Sequence, residues 1–337
     1  MSILFVVVDC AMTAMFFAVL KKFVIKFPIL CIILHVFPII MSQFLFSFTF
    51  QFWMIFVLAF ADAISSALYY GSLNLLFGFI DKDRDTAKFE TGSQIGSLCF
   101  SVLSAVLLGE IANSLIFLLV ASSVMYVISI IILLVKYKQL MSLIKDLPTH
   151  KFLDVLKGNK WFNFYNMCFG ITDAITENIM PVYIYYAGLS FTGAGLLVAV
   201  KVVLKILANY IAKLFTKKDK LKLAVIIFSI VNAISIASII FVKNVYAIFA
   251  ISLLISFSNQ LTFVILFEQF VINQTHKGIY QDSVFCRDIV LNSSRSIFSA
   301  IYLILPVFPV VFALGSAFTA SISFFGCKAI DQTKKEA

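Results

Sequence analysis

The sequence predicts an all-α polytopic membrane protein of two helical bundles in parallel pseudo-repeat, with about eleven transmembrane helices. Three observations predict it: composition, the way charge punctuates long apolar runs, and a single internal offset that relates the two ends of the chain. Of 337 residues 62% are hydrophobic and 13% charged, with a mean hydropathy of +1.04, against roughly 45–50% and 25% in an ordinary soluble domain. So little charge cannot cover a water-facing surface of this size, so the solvent for most of the chain is lipid. The net charge of +9 does not indicate nucleic acid, because the basic residues interrupt apolar runs instead of gathering on one exposed face with stacking aromatics. Six cysteines stand singly at 10, 31, 99, 168, 286 and 327 inside apolar stretches. That spacing reads as buried thiols and offers no metal or disulfide framework.

A hydrocarbon layer about 30 Å thick needs roughly 20 apolar residues per helical crossing. Cutting the chain where charges or turn residues interrupt such runs gives crossings over 3–20, 27–47, 51–79, 91–109, 111–135, 161–187, 190–214, 221–242, 245–270, 281–304 and 306–327. The first is no cleaved signal peptide, since Lys21 and Lys22 follow the apolar stretch instead of preceding it. Twenty-one of the 26 Lys and Arg fall in one set of alternate connections, Lys243 alone falls in the other, and four lie within helices. Cytoplasmic loops retain positive charge, which puts the carboxyl terminus in the cytoplasm and, with an odd number of crossings, the amino terminus outside.

Shifting the chain by 192 residues places Lys21 on Lys213, Lys26 on Lys218, Glu90 on Asp282 and Lys136 on Lys328 without a gap, and Ser101 and Ser104 on Ser293 and Ser296. The expected organisation is a five-helix bundle over 1–135, a lysine-rich cytoplasmic linker over 136–160, a six-helix bundle over 161–327 and a cytoplasmic tail over 328–337. Parallel repeats of this kind build one large class of transporters. The chain resembles the major facilitator superfamily over essentially its whole length. The most suggestive segment is Gly78–Gly109, where Arg84 precedes Thr91-Gly92-Ser93-Gln94-Ile95-Gly96 and a small-residue helix, as in the family's fourth-to-fifth helix passage. Asn163-Phe164-Tyr165-Asn166 through Met180-Pro181-Val182-Tyr183 is similar to a family seventh helix. The resemblance implies two six-helix halves, so this chain reads as lacking the first helix. Where the family often carries a Gly-x-x-x-Asp-Arg loop, the chain reads Lys21-Lys22-Phe23-Val24-Ile25-Lys26. The antiporter-type Gly-Pro pattern is missing between Gly96 and Gly109, which leaves import or export open.

A charge at the bilayer centre costs at least about 2.5–3.5 kcal/mol, so intramembrane ionisable residues point to function with a named partner. Apart from Lys222 at the end of 221–242, runs 27–47, 111–135, 221–242 and 306–327 carry no Asp, Glu, Lys or Arg, and the resemblance implies that these are the outermost helices. Besides Lys213, Lys222 and Asp282 at the run ends, the ionisable residues sit at Asp9, Asp62, Asp173, Glu177, Lys201, Lys205, Glu268, Arg287, Asp288 and Arg295. Asp173 and Glu177 are four apart, as are Lys201 and Lys205 on the next, antiparallel helix. Counting depth predicts a two-rung ladder, Asp173 with Lys205 and Glu177 with Lys201. The ladder either couples a proton to transport or locks two helices together. Arg295 is expected to bind an anionic substrate group or to pair with Asp62 or Asp288. The transport and proton-coupling candidates are Asp173, Glu177, Lys201, Lys205, Asp62 and Arg295, and the cytoplasmic gate candidates are Arg84, Glu90, Glu268 and Arg287. The lone histidines 35, 150 and 276 read as packing or loop residues.

No Walker loop, His-Glu-x-x-His, paired-cysteine or nucleophile-elbow pattern occurs, so the expectation is no enzyme, no cofactor and no metal site. The functional expectation is a secondary transporter that moves a small organic solute by alternating access with proton coupling. It would sit as a monomer in a bacterial cytoplasmic membrane, with the solute, protons and lipid as partners. The alternative is a truncated or degenerate chain of the same descent that folds in the membrane without transporting.

Overall fold

A computed structural model describes residues 2–38, 40–41, 52–80, 150–188, 191–216 and 220–336, with isolated positions 91, 94, 95, 124, 128, 131 and 135. In chain order the described helices are α1 (Ser2–Lys26), α2 (Pro28–Leu34), α3 (Met54–Ile80), α4 (Phe152–Gly158), α5 (Lys160–Asp173), a π-turn (Ala174–Ile179), α6 (Met180–Tyr186), α7 (Phe191–Thr216), α8 (Leu221–Ser238), α9 (Val245–His276), α10 (Tyr280–Ile304) and α11 (Phe308–Glu336). Five of them contain stretches long and apolar enough to span a membrane: Ile3–Lys26, Met54–Leu76, Leu221–Phe241, Val245–His276 and Phe308–Lys334. The α10 helix is as long but far more polar, and it is tolerated because it runs through the middle of the protein. Its Asp282, Ser283, Arg287, Asp288, Ser294, Ser296 and Ser299 are buried, whereas Phe241, Tyr246 and Ile304 at the opposite helix ends are 83%, 79% and 84% exposed. This protein is therefore apolar outward and polar inward, as lipid demands.

The 192-residue offset holds in three dimensions. Moved by 192, Met54–Ile80 becomes 246–272 inside α9, Ser2–Lys26 overlays all but the first residues of α7, and the start of α2 falls next to that of α8. Packing repeats with it: α1 lies on α3 as α7 lies on α9, and α2 on α3 as α8 on α9. Each half also lends a helix to the other, since α1 packs along α10, and Asn209 of α7 meets Thr91 at 3.2 Å.

Sharp corners set these directions. α1 and α2 are joined by Phe27 alone, with Phe27 N donating to Phe23 O at 2.9 Å and Cys31 N to Phe27 O at 3.0 Å. Pro28 opens α2, where its missing N–H costs nothing. α9 closes on a Schellman turn: Ile279 N donates to Gln274 O, Gly278 N to Thr275 O, and Gly278 takes a φ of +69° that a side chain would resist. Close approach of α5 to α10 rests on Gly170, whose absent Cβ would lie 2.6 Å from Leu291 O.

α11 continues as helix to Glu336, with Asp331 paired to Lys222 and Gln332 donating to Gly158 O at 2.9 Å. The linker holds a helix of its own, α4, between Lys151 and Asn159.

Candidate functional site: a charged cavity between the halves

A cavity of about 530 Å³ opens where the two halves meet. Its walls come from α1 (Asp9, Cys10, Thr13, Phe17), α3 (Ser66, Tyr70, Asn74), Gln94, α5 and the π-turn (Phe169, Asp173, Glu177, Asn178), α7 (Lys205), α9 (Asn259, Gln260, Phe263) and α10 (Arg287, Asp288, Asn292, Arg295). None of its lining residues belongs to α2, α8 or α11.

Three ion pairs neutralise most of the lining charge. Arg295 Nη2 pairs with Asp173 Oδ2, while its Nη1 donates to Asn292 Oδ1 at 3.3 Å. Lys205 Nζ stands 3.0 Å from Glu177 Oε1, with 40% of the Glu177 side chain exposed to the cavity. Arg287 Nη1 lies 3.1 Å from Asp288 Oδ1, and its guanidinium rests 4.4 Å from the centre of the Phe267 ring. Asp288 Oδ2 also accepts from Asn74 Nδ2 of the first half at 3.2 Å. Asp9 differs: its described contact is a 3.4 Å hydrogen bond from Thr13, with Asp62 and Arg295 in Coulombic reach. Isolated charges in such a place would cost several kcal/mol each, so the pairing accounts for how the helices carry them.

The expected ladder is displaced by one rung. Glu177 pairs with Lys205 instead of Lys201, and Asp173 pairs with Arg295 instead of Lys205. Depth counting assumed a straight α-helix, whereas the π-turn between the two carboxylates changes their relative azimuth. Arg295 consequently takes neither Asp62 nor Asp288 as its ion-pair partner. Of the transport candidates, Asp173, Glu177, Lys205 and Arg295 meet in the cavity. Lys201 is buried behind the wall and Asp62 is half-buried on α3 outside it. Among the gate candidates, Arg287 lines the cavity, Glu268 sits half-buried on α9, and Arg84 and Glu90 lie outside the described residues. Sequence reasoning did not single out Asn74, Asn178, Asn259 and Gln260. Their signal was present as amides within apolar runs.

Below the cavity, on the lysine-rich side, the halves are tied together. Lys21 Nζ lies 2.5 Å from Asp282 Oδ1, His150 N donates to Asp282 Oδ2 at 2.6 Å, and Tyr280 Oη donates to Asn74 O at 2.7 Å. Along α1, Asp9 and Lys21 are twelve residues apart, about 18 Å of rise. The Lys21–Asp282 pair therefore lies toward the lysine-rich side of the cavity, with Asn74 bordering both.

No protein-family model and no curated protein matches the chain. Solved structures do. Two crystal structures of a bacterial homologue of the iron transporter ferroportin match, one in the outward-facing state and one in that state with soaked iron. Each has a TM-score of 0.68, with 13% and 12% identity, covering 98% of this chain and 89% of theirs. The chain shares the all-helical fold of these transporters. With this fold and its apolar spans, the chain is an integral, multi-pass membrane protein.

Proposed function

We propose that this protein is a secondary transporter that moves a small solute by alternating access. The observation that carries the reading is the position of the charged cavity: it is walled by both halves and separated from the lysine-rich face by the Lys21–Asp282 seal. A cavity between two rigid units can exchange the side it faces when the units rock, and the seal is what must break. The 192-residue repeat relates Lys21 to Lys213 and Asp282 to Glu90, so Glu90 with Lys213 is the counterpart gate. Arg84, Glu268 and Arg287 remain gate candidates.

The neighbours' titles name iron. Among the described residues of this chain no group of three His, Cys, Asp or Glu is placed to hold a metal ion. Amides, three ion pairs, Asp9 with its hydrogen bond from Thr13, and the Tyr70, Phe169 and Phe263 rings line the cavity instead. That chemistry favours a small organic solute. For proton coupling Glu177 is the better carrier, because it opens to the cavity, whereas Asp173 is held by Arg295. The proposed setting is a bacterial cytoplasmic membrane with the carboxyl terminus inside.

The test uses the full chain in proteoliposomes, screened against amino acids, organic anions, organic cations and iron(II), with and without a pH gradient. Cross-linking Lys21→Cys to Asp282→Cys should arrest flux and reduction should restore it. Flux that continues through the cross-link overturns alternating access at this seal, and no flux of any solute favours the non-transporting alternative. Exchanging the rung, Glu177→Lys with Lys205→Glu, should abolish the response to the gradient, and an unchanged response ends the proton-carrier role.

A further inference from the structure

The helix over 160–186 breaks its hydrogen-bond ladder at one place, and backbone chemistry identifies the group left over. Across Ala174–Ile179 the chain forms a π-turn, in which the N–H of Met180 donates to Ile175 O, five residues back. In an α-helix that N–H would have gone to Thr176 O. The next backbone donor in π register with Thr176 O is residue 181, and residue 181 is Pro, which has no N–H. Thr176 is 1% exposed, so its carbonyl has neither a donor from its own ladder nor access to bulk water. Such a group inside a membrane protein is costly unless something else donates.

Lys201 of α7 lies at that point. Its Nζ is 3.5 Å from Thr176 O, and the residue is 6% exposed. Among the described residues no carboxylate stands within ion-pair distance of it, because Glu177 is taken by Lys205 and Asp173 by Arg295. The upstream end of the same turn is served in the same manner, Thr176 Oγ1 donating to Asp173 O at 3.3 Å. We propose that Lys201 is a positioning residue that replaces the backbone donor removed by Pro181. It holds the π-turn and thereby the direction in which Glu177 and Asn178 face the cavity. Its reach ties α7 to the π-turn between α5 and α6 at the cavity wall. The rival account treats Lys201 as a diffuse counter-charge, since Glu177 and Asp173 lie in Coulombic reach.

The two accounts separate in a double-mutant cycle that needs no substrate and so does not depend on the transport reading. Pro181→Ala restores an N–H at 181, which can serve Thr176 O in π register or, if the helix relaxes to α, free Met180 N to do so. The measurements are the thermal unfolding midpoint in detergent and the alkylation rate of Asn178→Cys in a background with Cys10→Ser. Lys201→Met in the natural background should lower the midpoint by roughly 2–6 °C and change the alkylation rate about tenfold. Lys201→Arg should retain most of both. With Pro181→Ala present, Lys201→Met should leave the midpoint and the labelling rate as they are in Pro181→Ala alone. Equal losses in both backgrounds, or rescue by Glu177→Gln instead of Pro181→Ala, overturn the proposal in favour of the counter-charge. No effect of Lys201→Met in the natural background overturns it outright.

Discussion

The first and second halves of this protein follow one path with opposite chemistry. At the 192-residue offset, α1 presents Asp9 and Thr13 where α7 presents Lys201 and Lys205. At the next turn Phe17 of α1 packs edge-on against Phe285, ring centres 6.2 Å apart, where Asn209 of α7 bonds Thr91. The backbone route is set by apolar length and by which faces must meet, and both survive divergence. Side chains lining a shared cavity are under a different constraint: two halves with the same sign would place like charges face to face. The second half neutralises itself with Arg295–Asp173, Lys205–Glu177 and Arg287–Asp288. The first half brings Asp9 and Asp62 with no base among its described residues at that depth.

The largest expected effect breaks the comparison at its strongest lock. Arg295→Gln leaves Asp173 unpaired and should destabilise by about 3–5 kcal/mol, read as a lowered unfolding midpoint, and adding Asp173→Asn should recover much of the loss. Asp9→Asn in the first half should cost under about 1 kcal/mol, since its hydrogen bond from Thr13 is long, yet should impair solute flux. Equal destabilisation by the two single changes would erase the distinction between a locked and an available half.

Packing sharpens the same contrast one step lower. A Cβ at Gly170 meets backbone, Leu291 O at 2.6 Å, whereas one at Gly71 of α3 meets the Phe285 and Phe17 rings at 3.2 and 3.3 Å. Gly170→Ala should cost about 1–3 kcal/mol. Gly71→Ala should be close to neutral, its crowding offset by roughly 1 kcal/mol of helix propensity, and the unfolding midpoints of the two variants decide it. Next, Lys21→Gln and Lys213→Gln should both increase the alkylation of cysteines placed on the lysine-rich side of the seal. A response from only one would show that the halves do not share the gate. Least affected is Lys222→Ala, which removes an ion pair whose side chains are 44% and 42% exposed. Its change in unfolding free energy should lie within about 1 kcal/mol.

Much of this was legible in sequence because lipid is a demanding solvent. The apolar runs had to be helices of membrane length, and α1, α3, α8, α9 and α10 fall where the runs lie. The runs poorest in charge correspond to α2, α8 and α11, none of which lines the cavity. What was not legible was azimuth. A ladder counted on straight helices misassigned both rungs, because the helix carries a π-turn over Ala174–Ile179 whose rotation no spacing rule encodes. The Arg295–Asp173 pair joins residues 122 positions apart, which periodicity along one helix cannot reveal. The amides of the cavity were equally hidden, since an Asn in a membrane run has the same appearance whether it faces substrate or its own backbone.

The single residue between α1 and α2 makes that corner a fixed gear. Hydrogen bonding runs through Phe27 from one helix to the next, so one inserted or deleted residue would turn α2 by about 100° against its partner α3. Leu30, 41% exposed, would exchange places with fully buried Cys31, and every later contact of that helix would slip with it. Sequence drift at this corner is therefore confined to substitution. Its length should stay constant among homologues even where the connections between other helices vary.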